Sequence, residues 1–357
     1  MIYYIGVEDE LRNTAGTKAP NDIKEICADK GYSYRSLIVP SSVTNPLLQK
    51  AARFKNAESF WKSLKKDAVS GDVVIYQHPV FGWRNAQSYI PKMQEKGVKF
   101  IALIHDLESL RKGIEGVVDA NKGFLDTDQT LLSLFDAVIC HNTKMKQYLI
   151  SQGFDEKKLI CLEIFDYLTD YVPSARVKSD TPSICIAGNL AKGKCSYIYN
   201  ILSDSHNPDL KINLYGVNYE EGDAQENLIY HGSFKPEELS AHLEGDFGLV
   251  WDGNAAETCA GNTGEYLRYN NPHKTSLYLA SGIPVLIWKQ SAMADFINAN
   301  GVGITVDSLY DAEVAIKTVT AEEYTEMQKN VMAISEKLRN GYYFSTAIEK
   351  ALAVIGK

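Results

Sequence analysis

Short apolar runs alternate along this chain with longer stretches whose apolar residues recur at three- and four-residue spacing. The runs in the first half are Ile2 to Val7, Tyr34 to Val39, Asp72 to Tyr76, Lys99 to Ile104, Phe135 to Cys140 and Leu159 to Leu162. Each has the length of a strand, and the run at 72–76 reads as one buried on both faces. Between them the periodicity predicts helices from Asn21 or Asp22 to about Lys30, from Thr44 to Ser70, from Ala86 to Lys96 and from Lys144 to Gln152. Asn21 suits a helix cap, while Gly31 and Gly153 suit helix ends. Phe54, Phe60, Trp61 and Leu64 fall on or near one helical face and are expected in the core. The polar-then-apolar stretch 119–133 carries Asp126-Thr127-Asp128, which reads as charge at a helix start. Alternation of this kind predicts an α/β layer on a mostly parallel sheet.

The pattern stops and then restarts. Residues 165–182 are rich in Pro, Ser and charge and have little period, so a linker is placed there, after a first domain of 1–164. The second half repeats the alternation, with strands Ser183 to Ala187, Lys211 to Tyr215, Leu228 to His231 and Phe247 to Trp251, and a helix Ser196 to Leu202. From Tyr266 the chain reads YLRYNNPHKTSLYLASGIPVLI. This predicts a helix that opens at Pro272, where a missing N–H costs nothing, and closes at Gly282 before another strand. The expected second domain is 183–335. A last helix, Glu336 to Ile355 within 336–357, is expected to pack back on the first domain.

At 357 residues, 45% hydrophobic and 23% charged, the chain has room for two cores without disulfide staples. Its net charge of −8 argues against non-specific binding to nucleic acid but leaves room for a local basic pocket. The six cysteines include no C-x-x-C pair and read as buried thiols in a reducing compartment. Neither a signal peptide nor a run of about 18 apolar residues is found, so a cytoplasmic location is expected, with contact at the inner face of a membrane through a local patch left open.

Candidate chemistry gathers where predicted strands end. The open N–H groups of a helix starting at Asn271–His273, beside Lys274, would suit a diphosphate. So would the turn Gly188-Asn189-Leu190-Ala191-Lys192-Gly193-Lys194. The first βα loop carries Gly16 and Lys18, a weaker anion signal. His78 and His105 each end a strand, where ligands of an open parallel sheet bind. His78 is read first as a strand cap. His105-Asp106, with Glu108 beside it, places imidazole and carboxylate together and suits a proton-accepting role.

The order of these segments is itself distinctive. A strand ending Ala-Gly-Asn-Leu, one ending Tyr-Gly, then Tyr-His-Gly, Gly-Leu-Val-Trp-Asp-Gly, Tyr-Asn-Asn-Pro-His-Lys and Ala-Ser-Gly-Ile-Pro-Val run in series. This resembles the nucleotide-binding half of GT-B glycosyltransferases. More narrowly it is similar to the bacterial family of the third glucosyltransferase of streptococcal adhesin glycosylation, which includes galactofuranosyltransferases. The resemblance implies two Rossmann-like domains facing each other across a cleft, a UDP-sugar donor held by the second and a glycan, glycoprotein or lipid-linked acceptor by the first. It implies no metal and no other cofactor. The donor site would draw on Gly16, Gly188, Asn189, Lys194, Tyr215, Gly216, Trp251, Asp252, Asn270, Asn271, His273 and Lys274, with Asp106, His105 or Glu108 as base. Many retaining GT-B enzymes carry two Glu residues where this chain has Tyr269 and Leu277, so inversion is expected. A homo-oligomer is also expected. The alternatives are a GT-B-like UDP-sugar epimerase and a non-catalytic subunit of a glycosyltransferase pair.

Overall fold

The computed structural model describes residues 1–9, 18–113, 128–201, 206–220 and 226–357. The chain divides into two compact units, Met1–Leu162 with Phe344–Lys357, and Glu163–Tyr343. Gly16 and the pair Asp126-Thr127 lie outside the described residues.

The first unit holds a six-stranded sheet made of β1 (Ile2–Asp9), β2 (Ser33–Val39), β3 (Val73–His78), β4 (Lys99–Ile104), β5 (Ala137–Cys140) and β6 (Leu159–Cys161). They lie in the order β2-β1-β3-β4-β5-β6, and every pairing is parallel. β3 is buried along its whole length, as the apolar run at 72–76 predicts. The strand order reverses between β1 and β3, and ligands of such sheets bind outside the carboxyl ends at that point.

The helix after β1 spans Lys18–Asp29, a turn earlier than the cap at Asn21 suggests. The long helix spans Pro46–Asp67, with the Asn45 side chain accepting from the N–H groups of Leu47 and Leu48. Trp61 and Leu64 are core residues, but Phe54 is not: it is 60% exposed. The first buried residue of that helix is Ala57, so its opening turns have no core beneath them.

The second unit has its own six-stranded parallel sheet. Its strands are β7 (Ser183–Asn189), β8 (Lys211–Val217), β9 (Leu228–Tyr230), β10 (Phe247–Val250), β11 (Val285–Trp288) and β12 (Gly303–Val306), in the order β12-β11-β10-β7-β8-β9. The reversal falls between β7 and β10. The helix expected at Ser196 to Leu202 is two short ones, Lys192–Cys195 and Tyr197–Asn200. Residues 165–182 carry no helix or strand, yet they are fastened to this unit. Ser179 donates from both N–H and Oγ to Asp246, and Arg176 donates to Leu243 O at 2.9 Å.

The closing helix Glu336 to Ile355 is interrupted. One helix runs Ala321–Arg339 and another Tyr342–Val354. Gly341 between them adopts φ 67°, a left-handed conformation that an L side chain resists.

Candidate active site

At the carboxyl end of β10 the chain turns through Trp251 and Asp252. Gly253 has φ 111°, and a Cβ there would stand 2.2 Å from Ala260 O. Gly264, in the short helix Gly261–Tyr266, lies against Cys259 and Asp252 O, where a Cβ would meet backbone at 2.6 and 3.0 Å. These contacts tie the Asp252 turn to the segment that leads into the helix His273–Ala280.

That helix opens at Pro272 with no side-chain cap, and its Thr275 N–H turns back to Pro272 O at 2.9 Å. Lys274, in its first turn, donates to Trp251 O at 2.9 Å and to Asp252 Oδ1 at 3.0 Å. Burial disfavours the ammonium, but the Asp252 carboxylate more than offsets this and lifts the Lys274 pKa above its ordinary value. Lys274 therefore stays charged, and two of its three N–H groups are committed. Two buried oxygens close by, Asn270 Oδ1 and Thr275 Oγ1, have no hydrogen-bond partner. Unpartnered buried acceptors beside an uncapped helix start and a fixed ammonium fit an anionic, hydroxyl-bearing ligand.

The helix is fixed from behind. Ser276 Oγ donates to Phe165 O at 2.7 Å, and Asn271 Nδ2 donates to Glu163 O at 3.1 Å. The His273 ring packs against Phe165 and Tyr167 at centroid distances of 6.2 and 5.2 Å. Tyr278 OH accepts from Ala187 N at 2.8 Å, which locks the helix to β7 just before Gly188. Its ring fits because β10 carries Gly248, where a Cβ would lie 2.2 Å from Tyr278. Sequence reasoning missed Tyr278 and Gly248; a lone glycine inside the apolar run FGLV was the available signal.

At the ends of β7 and β8, Gly188 and Gly216 stand side by side in register with φ 135° and 146°. A Cβ on Gly216 would come within 1.7 Å of Gly188 O, whereas one on Gly188 would meet nothing within 4 Å. Gly188 thus leaves open backbone next to the mouth of the turn. Asn189 Oδ1 accepts from Ala191 N at 3.1 Å and Asn218 Nδ2 at 3.0 Å, shaping that turn. Lys194 is exposed, and Lys192 pairs with Glu220. Two expected side chains lie in the core instead. Tyr215 is fully buried, stacked on His231 at 4.6 Å, with its OH accepting from Glu244 N. The Trp251 indole is also fully buried and donates to Ala255 O, so Trp251 meets Lys274 through its backbone carbonyl alone. Both residues sit at strand ends, and the sequence does not say which way their rings turn.

In the first unit His105 follows β4. Gln77 donates its amide to Ile5 O at 3.3 Å, which leaves Gln77 Oε1 to accept from His105 Nε2 at 2.8 Å. His105 is accordingly protonated on Nε2. Asp106 follows at half-buried exposure, and Glu108 is ion-paired with Arg111. His78 is buried and bonded to Asp128 Oδ1 at 2.9 Å, while Asp128 Oδ2 accepts from Ser109 N at 2.9 Å. Burial alone would raise the Asp128 pKa, but His78 and the Ser109 N–H hold it below the usual carboxylate value. Asp128 thus serves the start of the helix Glu108–Gly113. His141, at the end of β5, is buried with Nε2 donating to Ile104 O at 3.1 Å, and burial depresses its pKa to about 4. Among the described residues no cluster of three or more His, Cys, Asp or Glu could hold a metal ion.

Two parallel sheets, each reversing its strand order, with a helix mouth suited to an anion at the reversal of the second, are the architecture of GT-B glycosyltransferases. Solved structures agree on the fold. Sucrose-phosphate synthase from Thermosynechococcus elongatus superposes with a TM-score of 0.67 at 11% identity, covering 100% of this chain and 99% of that one. The lipopolysaccharide outer core galactosyltransferase WaaB gives 0.56 at 12% identity, covering 98% of each. Residues 3–164 match "Glucosyltransferase 3-like, N-terminal domain" and residues 184–351 match "Glucosyltransferase 3-like, C-terminal domain", so the chain belongs to the glucosyltransferase 3-like family. It is 33% identical over 359 residues to beta-1,6-galactofuranosyltransferase WbbI of Escherichia coli (strain K12), covering 98% of both chains. It is 30% identical over 275 residues to Glucosyltransferase 3 of Streptococcus gordonii, covering 76% of this chain and 77% of that one.

Proposed function

We propose that this glycosyltransferase takes a hexosyl group, glucose, galactose or galactofuranose, from a UDP-sugar and places it on a glycan hydroxyl with inversion. The observation that carries the reading is Lys274, held charged by Asp252 at an uncapped helix start. As the sugar–phosphate bond breaks, negative charge grows on the UDP leaving group. The ammonium and the first amides of the helix His273–Ala280 take up that charge, with the open backbone at Gly188 as a second support. This is the task a divalent cation performs in other phosphate chemistry, which supports a metal-independent reaction. Asp106 accepts the proton of the attacking hydroxyl. His105, whose Nε2–H donates to Gln77 Oε1, sits next to it as the alternative base. The absence of acid at Tyr269 and Leu277 supports inversion over retention. Glycan transfer of this kind, drawing on a nucleotide-sugar pool, belongs in the cytoplasm.

The test is UDP release from a panel of UDP-sugars, with and without acceptors ending in N-acetylglucosamine or galactose. Acceptor-dependent release with one donor, and a β-configured product from an α-configured donor, support the reading. Conversion of the donor without acceptor would replace it with an epimerase, and the absence of UDP release from every donor would replace it with a non-catalytic subunit.

A further inference from the structure

The helix Pro46–Asp67 is anomalous in an acidic protein. It carries six basic residues, Lys50, Arg53, Lys55, Lys62, Lys65 and Lys66, against Glu58 and Asp67, in a chain of net charge −8. Both acids are turned to other partners. Glu58 accepts from Asn85 Nδ2 at 2.7 Å and Tyr89 OH at 2.5 Å, and Asp67 pairs with Arg35 at 3.0 Å. Among the described residues Lys50, Arg53 and Lys55 enter no ion pair. The opening turns also hold large apolar side chains in solvent: Leu47 is 80%, Leu48 62% and Phe54 60% exposed. Leu47 and Phe54 are two turns apart and so share a face, with Lys50 between them, while Leu48 and Lys55 turn away on the side of the helix opposite Ala57. Against the middle of the helix lies the turn that opens the helix Trp83–Gln94, where a Cβ on Gly82 would touch Ala57. It presents a half-exposed Trp83 with the Arg84 guanidinium 4.8 Å from its ring.

We infer that this surface is a docking face for an anionic lipid bilayer. Leu47 and Phe54 enter the boundary between headgroups and acyl chains, Lys50 and Arg53 meet anionic headgroups, and Trp83 lies at the interface level. A bilayer fits better than a second copy of the chain, because a symmetric contact would bring Lys50 and Arg53 against themselves. Among the described residues no helix is long and apolar enough to cross a membrane, so this contact is made from one side. Its consequence for the enzyme is access to acceptors held on lipid.

The experiment is co-sedimentation of the full chain with vesicles of phosphatidylglycerol and phosphatidylethanolamine, beside vesicles of phosphatidylcholine alone. Binding to the anionic vesicles, weakened by salt, is expected. Each basic side chain contributes roughly fivefold in affinity, so Lys50→Glu/Arg53→Glu, which removes two positive charges and adds two negative ones, lowers binding by more than about 25-fold. Leu47→Ser/Phe54→Ser lowers it at unchanged charge. All four positions are exposed, and an unaltered thermal melt confirms that both variants fold. UDP release with a soluble acceptor stays at the wild-type rate in both, which separates this inference from the proposed reaction. Equal binding to neutral vesicles, or wild-type binding by both variants, overturns it. So does a fall from dimer to monomer in Leu47→Ser/Phe54→Ser without any vesicle binding, which would make the face a contact between copies.

Discussion

Replacing Lys274 with alanine probes the donor site most sharply, because the structure fixes what else changes. The ammonium spends two N–H groups on Trp251 O and Asp252 Oδ1, leaving one for a phosphate oxygen. A hydrogen bond to a charged group contributes about 1.5–3 kcal/mol, so Lys274→Ala should raise the donor KM by at least tenfold. Loss of a donor aimed at developing charge should cut kcat by about 10²–10³. The same substitution strands the Asp252 carboxylate, whose side chain is only 13% exposed, facing the incoming diphosphate. Its repulsion then adds to the loss. Asp252→Asn alone should cost roughly tenfold in kcat/KM, because it loosens Lys274 without removing it. In the double variant the repulsion disappears, so donor affinity should recover part of what Lys274→Ala lost. Steady-state kinetics of UDP release, with calorimetric titration of UDP, measures all three. If the two losses multiply, Asp252 contacts the donor independently and the pairing argument fails. If Lys274→Ala retains wild-type kcat/KM, the residue has no part in the reaction.

Three further outcomes follow from the geometry. Asp106→Asn should abolish transfer while UDP titrates as in the wild type; normal transfer would move the base elsewhere. Tyr278→Phe leaves the buried Ala187 N–H without its acceptor and should cost about 1–3 kcal/mol in urea denaturation, together with a weaker grip on UDP. His141, neutral in the fold with a pKa of about 4 against 6.5 unfolded, makes the protein less stable in acid. The unfolded chain gains that proton as pH falls below 6.5 and the folded one only near 4, so stability is full above 6.5 and lost across that window, by about 2 kcal/mol at pH 5. His141→Gln should flatten this part of the pH profile, and an unchanged profile would assign the acid sensitivity to other groups.

Much of the fold is readable from apolar periodicity, because a parallel sheet covered by helices imposes continuous apolar runs on its strands. The helix opening at Pro272 was legible from proline and glycine chemistry, and so was the turn at Gly188. Phe54 was not, since its spacing matches Trp61 and nothing local says that the core ends before it. Nor were the inward turns of Tyr215 and Trp251, because a strand-end aromatic can face the ligand or the core and only packing decides. The break at Gly341 left a signal in Asn340-Gly341, which a helical period running through it concealed. Tyr278 and Gly248 position the site from distant parts of the chain, and a pairing across 30 residues leaves no local pattern.

The most direct test of the donor site is a crystal structure with UDP bound. The diphosphate should lie within hydrogen-bonding distance of Lys274 Nζ and the first amides of the helix His273–Ala280, with Asn270 Oδ1 or Thr275 Oγ1 engaged by the ligand or an ordered water. A nucleotide bound away from the carboxyl ends of β7 and β10, with Lys274 still held only by Asp252 and Trp251, would contradict the account.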